Sequence, residues 1–290
     1  MTAGRRPVRR ALGIIAVVLL AGGSLAGTAH AQGNDGKLSF STGADFSHAY
    51  FFRGILQEHQ GIIAQPYFDL SVNLFEGTQG LNSVSFNIGQ WNSLHSGPTG
   101  TDGPAANVDA WYESDFYAGV GLGVDNWDFG LTYTSYLSPN DAFGTVKELA
   151  LSLTADDSAW LGSLALSPHV LIAIELDGQA DGGRSEGVYF ELGVEPSFDV
   201  DTVVPISLSV PITVGLSMSD YYEASPGDDR AFGFISLGVV GSRPIPVGEA
   251  YGNWDLTAGI HLFSLGDGLA SVNNGDELQA VATVGVCISY

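Results

Sequence analysis

An all-β fold, a single up-and-down antiparallel transmembrane β-barrel of about twelve strands, follows from three features of the sequence. The last thirteen residues alternate strictly. Leu278, Ala280, Ala282, Val284, Val286, Ile288 and Tyr290 fall on one face; Gln279, Val281, Thr283, Gly285, Cys287 and Ser289 fall on the other. A strand between lipid and a wet interior requires such a division, and this one ends on an aromatic residue. The rest of the chain divides into similar alternating segments of about ten residues, separated by Gly/Asp/Asn/Pro-rich joints. Beyond the amino-terminal region, no apolar run reaches the roughly 18 residues that a helical span needs.

In chain order, Arg5, Arg6, Arg9 and Arg10 precede an apolar run from Ala11 to Gly22, and Ala29-His30-Ala31 follows. A charged start, a short apolar stretch and an A-x-A site predict a signal peptide over 1–31, leaving a barrel domain over 32–290. The paired arginines also fit twin-arginine export, but a barrel cannot satisfy its outward apolar face before it meets a bilayer. The general secretory route is therefore expected, with the outer membrane as destination. No cysteine stands at the cleavage site, which excludes a lipoprotein.

Twelve segments follow, near 38–52, 63–75, 82–94, 108–124, 127–137, 146–155, 163–176, 187–198, 204–219, 231–241, 254–265 and 278–290. The ninth alternates most cleanly, from Ile206 through Leu208, Val210, Ile212, Val214 and Leu216 to Met218. In the tenth, Phe232 and Phe234 break parity with Ile235, Leu237 and Val239, which predicts a bulge. With the amino end in the periplasm, the outward loops are 53–62, 95–107, 138–145, 177–186, 220–230 and 266–277. Trp127, Trp160, Trp254 and Tyr290 then fall at the periplasmic rim, and Tyr50, Tyr136, Tyr221 and Tyr222 at the outer rim, as two aromatic girdles.

The mature chain keeps six basic and all 32 acidic residues, a formal charge of −26. That argues against nucleic acid and anionic lipid surfaces as partners. With 45% hydrophobic residues the chain is not disordered. Its expected partners are outer-membrane lipid, the barrel-assembly machinery through the C-terminal strand, and small hydrophilic solutes or cations. The lone Cys287 is a small strand residue without a disulfide partner.

The stretch Asp45-Phe46-Ser47-His48-Ala49-Tyr50-Phe51-Phe52-Arg53-Gly54-Ile55-Leu56-Gln57 resembles the opening of the TorF-like porin family, whose first strand ends in Tyr-x-Phe-Arg-Gly-x-x-Gln. Trp91-Asn92-Ser93 resembles that family's third strand, and Glu113 to Gly119 its acidic, aromatic fourth. Tyr133 to Pro139 and Glu148-Leu149 are similar to the strand pair after it. The resemblance covers about residues 40 to 155 and implies an outer-membrane barrel acting as a porin, without naming a solute. The chain departs from it in the long loop at 95–107 and in Leu94, which leaves loop function open.

The parity opposite the apolar face lines the lumen. Its acids are Asp45, Asp69, Glu113, Asp115, Asp128, Glu148, Glu175, Glu191, Glu195 and Asp255, and its one full positive charge is Arg53, expected at the outer mouth and braced against Asp45 or Glu113. His169 and His261 also face in. Such a lumen concentrates cations. Small residues on the same parity (Gly119, Gly121, Gly123, Thr132, Thr134, Ser207, Ser209) favour a narrow water-filled passage over a plugged core. The functional expectation is passive, cation-preferring diffusion of small hydrophilic solutes. The alternative is a non-conducting barrel with a structural or adhesive role through its loops; a soluble β-sandwich is the competing fold.

No catalytic residue, cofactor or metal is expected. Ser93 and His95 share a face, but residues two apart on a strand point in parallel, which is poor geometry for a base reaching a nucleophile. No Gly-x-Ser-x-Gly elbow is present. Asp177 to Gly183 has hard oxygens for calcium but lacks the regular ligand spacing, so a solvated loop is the expectation.

Overall fold

Alternation becomes a closed wall. The structure, a computed structural model, describes residues 37–97, 109–200, 205–223, 228–273 and 275–290. The expected signal peptide over 1–31 and most of the loop at 95–107 lie outside the described residues.

In chain order the elements are β1 (Leu38–Ser47), β2 (Tyr50–Phe52), β3 (Ile55–Glu58), β4 (Ile63–Glu76), β5 (Leu81–His95), β6 (Trp111–Val124), β7 (Trp127–Leu137), β8 (Val146–Ala155), α1 (Ser158–Leu161), β9 (His169–Asp177), β10 (Val188–Val194), β11 (Ser197–Val200), β12 (Ile206–Ser209), β13 (Ile212–Ser219), β14 (Phe232–Ile245), β15 (Asn253–Leu265), α2 (Asp267–Val272) and β16 (Leu278–Ser289). Neighbouring wall strands pair antiparallel, and β1 closes the ring against β16, with Ser41 opposite Ser289 and Ser47 opposite Thr283. Twelve strands make the barrel, because β10 with β11 and β12 with β13 are each one strand interrupted. The interruptions fall at Pro196 and Pro211, which have no backbone N–H to give a ladder. The amide of Val210 donates to the Pro196 carbonyl at 3.0 Å across the paired breaks.

The apolar parity faces outward. Phe116, Leu131, Leu151, Ile235, Leu262 and Val284, from six different strands, are 42% to 52% exposed. A band of large apolar side chains around the whole wall has no place in water and suits hydrocarbon. At the end where β1 begins and β16 stops, Trp127, Trp160, Tyr251 and Tyr290 are exposed. Tyr251 gathers part of this rim, its carbonyl accepting from Trp254 Nε1 and from the Tyr290 hydroxyl. The parity break in β14 is a bulge as expected. Gly215 pairs with Phe234 and Leu216 with Phe232, so Gly233 is the extra residue. It leaves no room for a Cβ, because the hydroxyl end of the Tyr222 ring stands against it.

The outer aromatic girdle is corrected. Tyr50, Tyr136, Tyr221 and Tyr222 are only 1% to 7% exposed and point into the barrel. Segment 38–52 is also not one strand: the wall strand stops at Ser47, and the chain turns inward before rejoining the wall at Ile63. Between those points β2 and β3 form a separate two-stranded sheet. The outer half of the lumen is therefore a core built around this hairpin, not a water-filled passage. Ala49, Phe51, Tyr189, Tyr221, Tyr222, Phe234, Phe263 and Leu269 pack on one side of it. Tyr50, Phe52, Ile63, Trp91, Tyr112, Tyr136 and Val146 pack on the other.

Candidate functional site

The hairpin starts from its turn. Arg53 and Gly54 both have positive φ, 49° and 81°, the conformation of a two-residue turn whose twist matches its flanking strands. Phe52 pairs with Ile55 and Phe51 with Leu56 across it. Glycine is required at the second position, since a Cβ there would stand 2.8 Å from Leu269 and 2.9 Å from Phe234. A non-glycine residue in the left-handed region is costly, and Arg53 is held there by what surrounds it.

Around the turn, Arg53 Nη1 and Nη2 donate to the two carboxylate oxygens of Glu148 at 2.5 and 2.8 Å, and Nη1 also reaches the Tyr221 hydroxyl at 2.8 Å. The guanidinium carbon lies 4.4 Å from the Tyr189 ring centre, 4.9 Å from Phe52 and 5.5 Å from Tyr221. Tyr136 donates a further bond to Glu148 at 3.2 Å. A buried guanidinium and carboxylate are tolerable only when paired this closely. The brace expected against Asp45 or Glu113 is therefore corrected to Glu148, because Arg53 sits at a turn inside the barrel and not at its mouth.

Side chains from the loop side pin the rest of the hairpin. The Tyr222 hydroxyl donates to the Arg53 carbonyl at 2.9 Å, and Tyr112 to Gln57 Oε1 at 2.5 Å. Asn273, just after α2, donates to the Gly54 carbonyl and accepts from the Leu56 amide. Burial holds the Tyr221 and Tyr222 phenols well above their usual pKa, so both stay neutral, Tyr221 accepting from the Arg53 guanidinium and Tyr222 donating to the Arg53 carbonyl. Each residue of the Tyr50-x-Phe52-Arg53-Gly54-x-x-Gln57 pattern has work in this hairpin. Tyr50 packs on Trp91 and Phe52 on Tyr136, with ring centres 5.4 and 5.3 Å apart.

The acids divide between two levels. Glu113, Asp115, Glu148, Glu175 and Glu191 are buried around the hairpin. Asp115 is 0% exposed and lies beside the Glu113 carboxyl. Glu175 accepts from the amides of Ala180 and Gly187 at 2.6 Å each, and Glu191 from the Tyr189 hydroxyl at 2.6 Å with His169 3.7 Å away. Asp45, Asp69, Asp128 and Asp255 are half-buried on the inward parity, the last three toward the end where β1 begins and Asp45 two residues before β1 stops at Ser47. Glu195 sits at the break between β10 and β11, its amide on the Leu166 carbonyl. His261 lines a cavity of about 30 Å³ under the hairpin with Ser47, Gln65, Phe51, Phe263 and Thr283. A second cavity of about 30 Å³ lies among Ser83, Ser85, Asp128, Ser152 and Thr154. Small residues do not leave the lumen as open as expected. Gly89 is where the Tyr117 ring lies down, its hydroxyl 2.3 Å from where a Cβ would stand.

The Ser93 and His95 geometry is also corrected. Ser93 Oγ and His95 Nε2 are 2.8 Å apart, with Glu58 of the hairpin 3.9 Å from His95 Nδ1. The imidazole is long enough to lean along the strand, where it stacks on Tyr112 with ring centres 4.4 Å apart. Ser93 is 0% and His95 2% exposed, so with the hairpin in place the pair is buried polar packing. Among the described residues, no group of three or more His, Cys, Asp or Glu is placed to hold a metal ion. In the 177–183 loop, Asp181 is occupied by the amides of Gly183 and Glu223, at 2.7 Å each.

No family model and no curated protein matches the chain. Solved structures with similar form include an outer membrane channel from Pseudomonas putida F1, at 12% identity and a TM-score of 0.49 over 88% of this chain and 96% of that one. The NanC porin matches at 11% identity and a TM-score of 0.40, over 87% and 98% of the two chains. The β domain of the Bordetella autotransporter BrkA matches at 11% and 0.40, over 87% and 99%. None of these TM-scores reaches 0.5, and none bears on what this barrel carries.

Proposed function

We propose that this chain is an exported outer-membrane channel, closed by its own hairpin, that passes small hydrophilic cations when the hairpin withdraws. The observation that carries this reading is the hairpin's independence. It is a sheet of its own, and among the described residues no backbone ladder joins it to the wall. Its ties are side chains, which can be released one at a time without opening the barrel. Below it, the inward parity carries Asp45, Asp69, Asp128 and Asp255 among Gly, Ser and Thr, a negative field that favours cations.

The filled outer half favours a second reading, a non-conducting barrel that acts through its loops. Planar-bilayer recording separates the two. The refolded mature protein and a variant with residues 50–58 replaced by a short Gly/Ser bridge are compared under a salt gradient. The channel reading expects rare openings in the first and steady cation-selective steps in the second. A folded bridge variant that passes no current would leave the loop-acting barrel.

A further inference from the structure

Stripped of Arg53, the pocket around its guanidinium belongs largely to the wall. Glu148 comes from β8, Tyr136 from β7, Tyr189 from β10, and Tyr221 from the segment after β13. Together they present a carboxylate fork, a phenol oxygen and two aromatic faces to a planar cation. The two-pronged contact at 2.5 and 2.8 Å matches a guanidinium and not a spherical ammonium or metal ion. Stacking over Tyr189 at 4.4 Å selects the same delocalised, weakly hydrated cation.

Arg53 fills this pocket at a cost. Its backbone is in the left-handed region at φ 49°, and its Nε is buried without an acceptor among the described residues. A free ligand is spared the backbone strain. We propose that Glu148, Tyr136, Tyr189 and Tyr221 form a binding site for guanidinium-bearing solutes, and that Arg53 is a tethered occupant which such a solute displaces. Displacement removes the central tie of the hairpin, so the solute is both ligand and opener. The opening half of this inference rests on the channel reading; the binding half does not. A short tether supplies an effective concentration in the millimolar range, so a free solute must reach about that level to compete.

The test uses agmatine, with putrescine as the probe of similar length that lacks the guanidinium. In refolded Arg53→Ala, agmatine should raise the thermal unfolding midpoint and putrescine should not, and Arg53→Ala with Glu148→Gln should abolish the difference. Arg53→Gln, which keeps the bulk of the hairpin tip, replaces Arg53→Ala if the smaller side chain prevents refolding. Equal responses to the two amines, or none, in a folded variant would overturn the binding site. In bilayers, millimolar agmatine should raise the open fraction of the unmodified protein several-fold over putrescine. Selective binding to the variant with no effect on that current would keep the site and overturn displacement. A hairpin-replaced barrel that passes no current at all would instead remove the channel reading.

Discussion

Arg53 and Glu148, 95 positions apart, meet inside the barrel as a two-pronged ion pair at 2.5 and 2.8 Å, with neither side chain more than 3% exposed. The pair joins the tip of an inward hairpin to the wall. Removing either partner leaves the other charge buried and unmatched, which costs about 3–5 kcal/mol. Glu148→Gln should therefore destabilise the barrel sharply in urea titrations in detergent. Replacing both residues by methionine removes both charges and keeps the bulk, and should recover most of that loss. A double variant as unstable as the single one would show that the surrounding bonds, not the charge, hold the tip.

The turn itself gives a second prediction, with an internal control. Gly54 at φ 81° and Gly80 at φ 63° share a left-handed backbone, but a Cβ at Gly54 meets Leu269 and Phe234 while one at Gly80 meets nothing within 4 Å. Gly80→Ala should cost only the conformational penalty, about 1–2 kcal/mol. Gly54→Ala should cost more, through contact with α2 and β14, and should also raise the conductance of the closed barrel. Equal unfolding midpoints for the two variants would mean the hairpin tip is free to shift.

These outcomes depend on an architecture that was only half legible in the sequence. The wall was legible because lipid on one side and a filled interior on the other impose a period of two, and β16 shows it over twelve residues. Even the bulge at Gly233 was implied by the parity of Phe232, Phe234 and Ile235. The hairpin was hidden because Tyr50 to Phe52 continues the apolar, aromatic character of a strand end. An outward rim and an inward core select the same residue types, so nothing local distinguishes Tyr50, Tyr136, Tyr221 and Tyr222 from a girdle. The one available signal was Arg53-Gly54, a tight-turn dipeptide inside an expected loop. The partner of Arg53 was not legible, because choosing among ten lumen acids needs three-dimensional register.

A third prediction separates selectivity from closure. Asp45, Asp69, Asp128 and Asp255 lie on the inward parity, and among the described residues no hydrogen bond ties them to the hairpin; Asp69 accepts from Asn87 at 3.1 Å. In the hairpin-replaced barrel, changing all four to asparagine should move the reversal potential toward that of a non-selective pore. The same changes in the intact chain should leave its open fraction where it was. An unchanged reversal potential would place selectivity with the acids around the hairpin instead.

The last prediction concerns the loop that roofs the hairpin. Asp181 accepts from the Gly183 and Glu223 amides, while the Glu223 carboxylate accepts from the amides of Arg184 and Ser185 at 2.5 and 3.2 Å. Burial raises the Asp181 pKa above its ordinary 3.8; the Glu223 charge adds to the rise, and the backbone bonds oppose it without cancelling it. An acid whose folded pKa is raised holds its proton more tightly when the loop is closed. Closure is therefore weakest above the folded pKa, strengthens as pH falls through it, and gains nothing further below about 3.8. Hydrogen exchange at residues 181–185 and 223, corrected for the intrinsic pH dependence of exchange, should show protection rising on acidification. Asp181→Asn, neutral at every pH, should be protected at pH 7 and nearly flat with pH. Protection that falls on acidification would mean that the charged carboxylate's bonds to the two amides outweigh its burial.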